Sequence, residues 1–198
     1  FDTATKTYSE LIGNIQRDCN SSKKYWHFIK VMGRSASHVA LECALKTQPN
    51  VCLSSEEVAE KKMSLSQIAD QIADSVEYRG NNGENFGVVV IPEGVVEFVP
   101  EFGALIHEIN ELLAGSKADA FNELPTWADK YAFIEAGLTK ESMEVFALLP
   151  QSIQQQLFLD RDPHGNVQVS LIESEKLFSA LVADKLAARK AAGTYKGK

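Results

Sequence analysis

The sequence predicts an α/β protein: three α/β/α layers around a mainly parallel sheet, interrupted by a helical insertion. Three observations predict it. Strand-like and helix-like segments alternate through the first hundred residues. Val88 to Ile91 is apolar without alternation, as a strand covered on both faces in a parallel sheet should be. From Pro100 to about Asp160 only helical patterns follow, before strand character returns in "VQVSLI", Val167 to Ile172.

Taken in order, "FDTATKTYSELIGNI" reads as a helix with Leu11 and Ile15 on its apolar side, broken by the turn-forming "DCNSSKK" from Asp18 to Lys24. Trp26 to Val31, aromatic and β-branched, is the first strand. Ser37 to Leu45 carries Val39, Leu41, Cys43, Ala44 and Leu45, a pattern suited to a well-buried helix. Val51 to Leu53 is a short second strand. A helix then starts at Ser64, where Gln67 completes a capping box and Leu65, Ile68, Ala69, Ile72, Ala73 and Val76 line one face. After "RGNNGEN" comes the Val88 strand. Phe102, Leu105, Ile106, Ile109, Leu112 and Leu113 mark one amphipathic helix, and Glu173 to Lys190 forms a last long one. The expected division is an α/β domain of residues 1–113 and 161–198, with a helical insertion at 114–160.

With 198 residues, 44% of them hydrophobic, the chain can bury a proper core. Its net charge of −7, without a lysine and arginine cluster beyond Lys185, Arg189 and Lys190, argues against nucleic acid as a partner. Cys19, Cys43 and Cys52 form no C-x-x-C pair, so neither a disulfide framework nor a zinc site is indicated and a reducing, cytoplasmic setting fits. No apolar run approaches the ~20 residues of a membrane helix. The opening at Phe1, already within a helical pattern, suggests a piece of a longer protein.

In an open parallel sheet, ligands bind outside the carboxyl ends of the strands. Two polar motifs sit there. Met32-Gly33-Arg34, followed by Ser35 and Ser37, combines a glycine that admits a ligand to the backbone, a helix start and an arginine able to grip an anion bidentately. The same residues equally suit a serine-capped strand-to-helix turn with a surface arginine. Pro92-Glu93-Gly94 places a carboxylate at the end of a buried strand, where it could accept bonds from sugar hydroxyls, or simply turn the chain out of the sheet. One basic and one acidic anchor at one sheet edge would suit a phosphorylated sugar. Lys24 and Tyr25 lie at the other end of the first strand, where Trp26 would already be about 20 Å from Met32 at roughly 3.3 Å per residue. They are either a solvated loop or reach a pocket of another copy.

Asp160 to Gly165 has acids at alternate places before a glycine, but His164 at the fifth position and Leu171 at the twelfth do not fit a calcium loop, and the stretch is expected to be a tight turn. His27, His38, His107 and His164 are scattered over different elements, and spacing draws no nucleophile arrangement from them.

"KYWHFIKVMGRSASHVALECAL", "VVVIPEG" and "DRDPHGNVQV" together resemble the long-form pyrophosphate-dependent phosphofructokinases along nearly the whole chain. The resemblance implies a Rossmann-like phosphofructokinase fold and the reversible, glycolytic phosphorylation of fructose 6-phosphate to the 1,6-bisphosphate by pyrophosphate. It implies that Met32, Gly33 and Arg34 hold fructose 6-phosphate, that Glu93 binds the sugar, and that Lys24 and Tyr25 reach the neighbouring subunit's site in a homodimer or higher oligomer. The helices of Ala114 to Asp160 resemble the extra insertion of the long form. The family's pyrophosphate loop, magnesium-binding aspartate and general base would lie before Phe1 and its Tyr-Glu-Gly-Arg motif beyond Lys198, so magnesium would be held outside this span and these residues alone should not turn over. Two other readings use the same residues: a non-catalytic regulatory subunit that senses a sugar phosphate, and an unrelated α/β scaffold.

Overall fold

Strands and helices alternate because the apolar period switches along the chain, and the computed structural model, which describes residues 1–33, 36–114, 116–159, 161 and 166–197, shows the α/β architecture. Its first part runs α1 (Asp2–Ser22), β1 (Trp26–Val31), α2 (His38–Thr47), β2 (Val51–Cys52), α3 (Ser55–Lys61), α4 (Leu65–Asn81) and β3 (Gly87–Pro92). The sheet has the order β1-β3-β2, with both pairings parallel. β3 is central and buried at every residue, which is why its sequence carries no polar alternation.

β1 divides its side chains between two layers. His27 meets Cys19 of α1, while Ile29 and Val31 pack with Ile12, Ala40, Cys43, Val88 and Val90 in a core beneath α1 and α2. Trp26 and Phe28 point the other way, toward Val76 of α4 and Val182 of α10 (Ser174–Ala191). α4 starts in the expected capping box: Ser64 Oγ accepts the Gln67 N–H at 3.1 Å and Gln67 Oε1 accepts the Ser64 N–H at 2.9 Å. Its face of Ile68, Ile72 and Val76 is buried, each side chain contributing about 1.5–3 kcal/mol over exposure.

Two faces differ from expectation. α1 buries Thr5, Ile12 and Cys19, a seven-residue spacing, and leaves Leu11 exposed. α2 buries only Ala40 and Cys43, while Leu41 and Leu45 face outward, so it is a one-sided helix rather than a well-buried one. α3 is an element that periodicity missed. Seven residues are too few to show a period, although Ser54-x-x-Glu57 signals the cap, and Ser54 Oγ does accept the Glu57 N–H at 3.4 Å.

The chain divides into two compact units, Phe1–Val99 with Glu173–Lys198, and Pro100–Ile172. The second comprises α5 (Pro100–Leu112), α6 (Ser116–Asn122), α7 (Trp127–Gly137), α8 (Lys140–Leu148) and α9 (Gln151–Leu159). Residues 114 and 160, the expected limits of the insertion, both fall inside it. α5 joins this unit because its apolar stripe, Phe102, Leu105, Ile109 and Leu112, packs on α8 and α9. At its centre Phe158 lies 5.3 Å from Phe121 and meets Phe146 edge-on at 5.6 Å.

The expected strand from Val167 to Ile172 does not form. Val167 makes an isolated antiparallel bridge to Arg161, and Val169–Leu171 is a 3-10 turn. Asn110 Oδ1 accepts both the Val167 N–H (3.0 Å) and Arg161 Nη1 (2.7 Å), and Val167, Val169 and Ile172 are buried with no neighbouring strand among the described residues. The apolar alternation is satisfied by local packing instead. Apart from Arg161, the expected tight turn at Asp160 to Gly165 lies outside the described residues.

Candidate functional site at the carboxyl edge of the sheet

β1 and β3 run parallel in a register that ends with Val31 opposite Pro92, so Met32-Gly33 and Glu93-Gly94 leave the sheet side by side. The ladder continues into both turns: Glu93 donates its N–H to the Val31 carbonyl at 2.9 Å, and Gly94 donates to the Gly33 carbonyl at 3.1 Å. Two motifs distant in sequence thus form one rim. Gly33 has φ of 140°, and a Cβ there would lie 2.8 Å from the Ala36 carbonyl oxygen, so the turn requires glycine. Met32 is half exposed and Glu93 half-buried at this edge. Arg34 and Ser35 lie outside the described residues.

Ser37 is held by residues of α3 that sequence reading did not select. Ser37, the N-cap of α2, donates its N–H to Glu56 Oε1 at 2.9 Å, while its Oγ accepts the Ser55 N–H at 2.8 Å. Glu56 Oε2 accepts from Ser54 Oγ at 2.9 Å. The bond from the Ser37 amide, helped by its own backbone amide and the Ser37 and Ser54 hydroxyls, holds the Glu56 carboxyl at about 2, well below the usual carboxylate range. At the start of α2 the Ser37 amide thus serves a carboxylate of this chain.

Lys24 and Tyr25 stand at the opposite end of β1, where the Tyr25 carbonyl accepts the Gly87 N–H at 3.1 Å. Both are exposed, and they border a cleft of about 270 Å³ with Trp26, Asn85 and Tyr195. The structure therefore joins Met32, Gly33 and Glu93 and separates Lys24 and Tyr25 from them. Cys19 Sγ lies 3.0 Å from His27 Nδ1, a pair that spacing did not reveal. Burial pushes the Cys19 thiol up, the reverse of what a nucleophile needs, so the pair belongs to packing. Among the described residues no group of three or more His, Cys, Asp or Glu side chains converges to hold a metal. Among them, too, no helix is long and apolar enough to cross a membrane.

The sequence profile of the family described as phosphofructokinase matches residues 1–124, a span that contains the whole sheet and both strand-end motifs. The chain belongs to the phosphofructokinase family. Relatives agree with that membership. The chain is 56% identical over 197 residues to pyrophosphate–fructose 6-phosphate 1-phosphotransferase of Treponema pallidum, covering all of this chain and 34% of that one. It is 57% identical over 189 residues to the protein of the same name from Entamoeba histolytica, covering 96% of this chain and 34% of the relative. To the alpha subunit of that phosphotransferase from Solanum tuberosum it is 42% identical over 200 residues, covering all of this chain and 30% of the relative. The chain spans about a third of the length of these relatives.

Proposed function

We propose that these residues form the fructose 6-phosphate side of the active site in a longer, pyrophosphate-dependent phosphotransferase. The observation that carries this reading is the Gly94–Gly33 bond, which sets the Met32-Gly33 and Glu93-Gly94 turns beside one another on one rim. The names of the relatives supply the substrate pair. Arg34 grips the sugar's phosphate with two parallel bonds, Met32 and Gly33 shape the backbone against it, and Glu93 accepts from a sugar hydroxyl. In the reaction the C1 oxygen of the sugar bonds to phosphorus, the bridging bond of pyrophosphate breaks and orthophosphate leaves. The donor site, magnesium and the base are assigned to parts outside this chain. These residues bind and orient the acceptor.

Lys24 and Tyr25, too far along β1 to join this rim, are assigned to the site of a neighbouring subunit in a homodimer or larger assembly. Three free thiols, Cys19, Cys43 and Cys52, suit a reducing cytoplasm.

The test is steady-state kinetics on the full-length protein. Arg34→Ala should raise KM for fructose 6-phosphate at least tenfold, as expected for losing about 1.5–3 kcal/mol of charged hydrogen bonding, while KM for pyrophosphate stays put. An unchanged KM for the sugar phosphate overturns the assignment.

A further inference from the structure

β1 sends alternate side chains to opposite faces of the sheet, and one of them is a cation beside the rim that belongs to neither motif. Ile29 and Val31 enter the core beneath α1 and α2, together with Val88 and Val90 of β3. Trp26 and Phe28 go to the α10 side, and Lys30 follows them, its Nζ 3.6 Å from Glu175 Oε2 in the first turn of α10. We propose that Lys30 is a further binding residue of the sugar-phosphate site, its ammonium donating to a sugar hydroxyl beside the one that Glu93 accepts from. This inference rests on the reading of Glu93 as a sugar contact.

The register brings Lys30 and Glu93 to one face. Val88 and Val90 point beneath α1 and α2, so Ile91 leaves β3 on the opposite side, the side of Lys30, and Ile91 is the residue paired with Lys30. Glu93 keeps that alternation, because the ladder extends through its N–H to the Val31 carbonyl at 2.9 Å. Glu93 is therefore the diagonal neighbour of Lys30, about 7–8 Å away between Cα atoms, a span that the flexible four-carbon lysine stem covers. The Lys30 side chain is 27% exposed, so its ammonium is not sealed within the sheet's packing.

The chemistry of the ligand calls for such a group. A hydroxyl donates one hydrogen and accepts through two lone pairs, so a carboxylate alone reads only half of it. A carboxylate also repels a phosphorylated ligand, and a cation within a side-chain length offsets that repulsion. The competing role for Lys30 is to staple β1 to α10 through Glu175. At 3.6 Å that pair is longer than a hydrogen bond, and with the Glu175 side chain 26% exposed as well, solvent screens it. Such a pair adds little to stability. It does keep the ammonium on the face that Glu93 shares.

The experiment measures steady-state kinetics of the full-length protein with K30M, E175Q and E93A. K30M, which keeps the bulk of the side chain and removes its charge, should raise KM for fructose 6-phosphate roughly tenfold, as losing one charged hydrogen bond does, with KM for pyrophosphate unchanged. E175Q should leave KM for the sugar phosphate at the parent value or lower it, since a competitor for the ammonium is gone. In the parent protein, saturating fructose 6-phosphate should slow reductive methylation of Lys30 several-fold, read by peptide mass spectrometry, and this arm decides if K30M does not fold. An E175Q variant that loses as much affinity as K30M overturns the inference, because the pair then acts only by joining strand to helix. So does a normal KM in K30M, or methylation of Lys30 indifferent to the sugar phosphate, while E93A raises KM. E93A without effect overturns the reading of Glu93, and this inference with it.

Discussion

Gly94 donates its amide to the carbonyl of Gly33 at 3.1 Å, beyond the last residue pair of the β1–β3 ladder. That bond makes the two strand ends one rim. A parallel neighbour brings together turns that are far apart in sequence, and the extra ladder bonds past Val31 and Pro92 keep those turns from splaying. The relative placement of the Met32-Gly33 and Glu93-Gly94 turns is set by backbone bonds before any ligand arrives.

Gly33 should be the least replaceable residue of the rim. In Gly33→Ala the new Cβ would meet the Ala36 carbonyl oxygen at 2.8 Å, and φ of 140° is a region that other residues avoid. The expected cost is about 1–3 kcal/mol, seen as a lowered melting temperature or, if the loop yields instead, as a raised KM for fructose 6-phosphate in the full-length protein. A variant normal in both respects would show that the turn does not demand glycine.

Glu56 should shape the acid limb of stability. Its folded value of about 2 lies below the ordinary 4.5, so its contribution is complete above 4.5 and disappears as pH falls from there through about 2. Unfolding midpoints of the parent protein and E56Q, compared between about pH 6 and pH 2, should therefore converge or cross on the acid side. Parallel curves would mean that the carboxylate titrates alike in the folded and unfolded chain. Because Glu56 is exposed, solvent screening keeps the effect modest.

Arg189 should contribute more than an ordinary surface charge. Its Nη2 reaches Asp74 at 2.7 Å and Asp70 at 3.3 Å, and its Nη1 reaches Glu77 at 2.7 Å, so one side chain on α10 bridges three carboxylates along α4. Lys185 adds a second tie to Asp70 at 2.7 Å and, as the larger influence, lowers that carboxyl together with Arg189. Arg189→Ala should cost about 1–2 kcal/mol in urea unfolding, less in high salt, and Lys at that position should recover only part, since an ammonium cannot span the fork. Equal stability of parent and Arg189→Ala at low salt would show that apolar packing alone joins the two helices.

The parts of the fold legible in sequence are those whose causes are local. The unbroken apolar run of β3 announces a central parallel strand, Ser64 and Gln67 announce the start of α4, and Gly33 and Glu93 stand where strand ends ought to be. The elements missed or misread had no local cause strong enough to show. α3, at seven residues, is too short to show a period, and the Val167 segment has a strand's alternation but, among the described residues, only a single bridge to Arg161.

The amino-acid order by itself determined the α/β class, the chain positions of the strand-end motifs and the family membership, because propensity, periodicity and capping act over a few residues. Only the tertiary structure decided that Gly94 ties to Gly33, that Lys24 and Tyr25 sit at the far end of the sheet, and that Glu56 takes the Ser37 amide. These are bonds between segments distant in the chain. Their partners are chosen by how parallel strands and short helices pack, and a hydrogen-bonding group carries no mark of which distant partner the packing will bring within 3 Å.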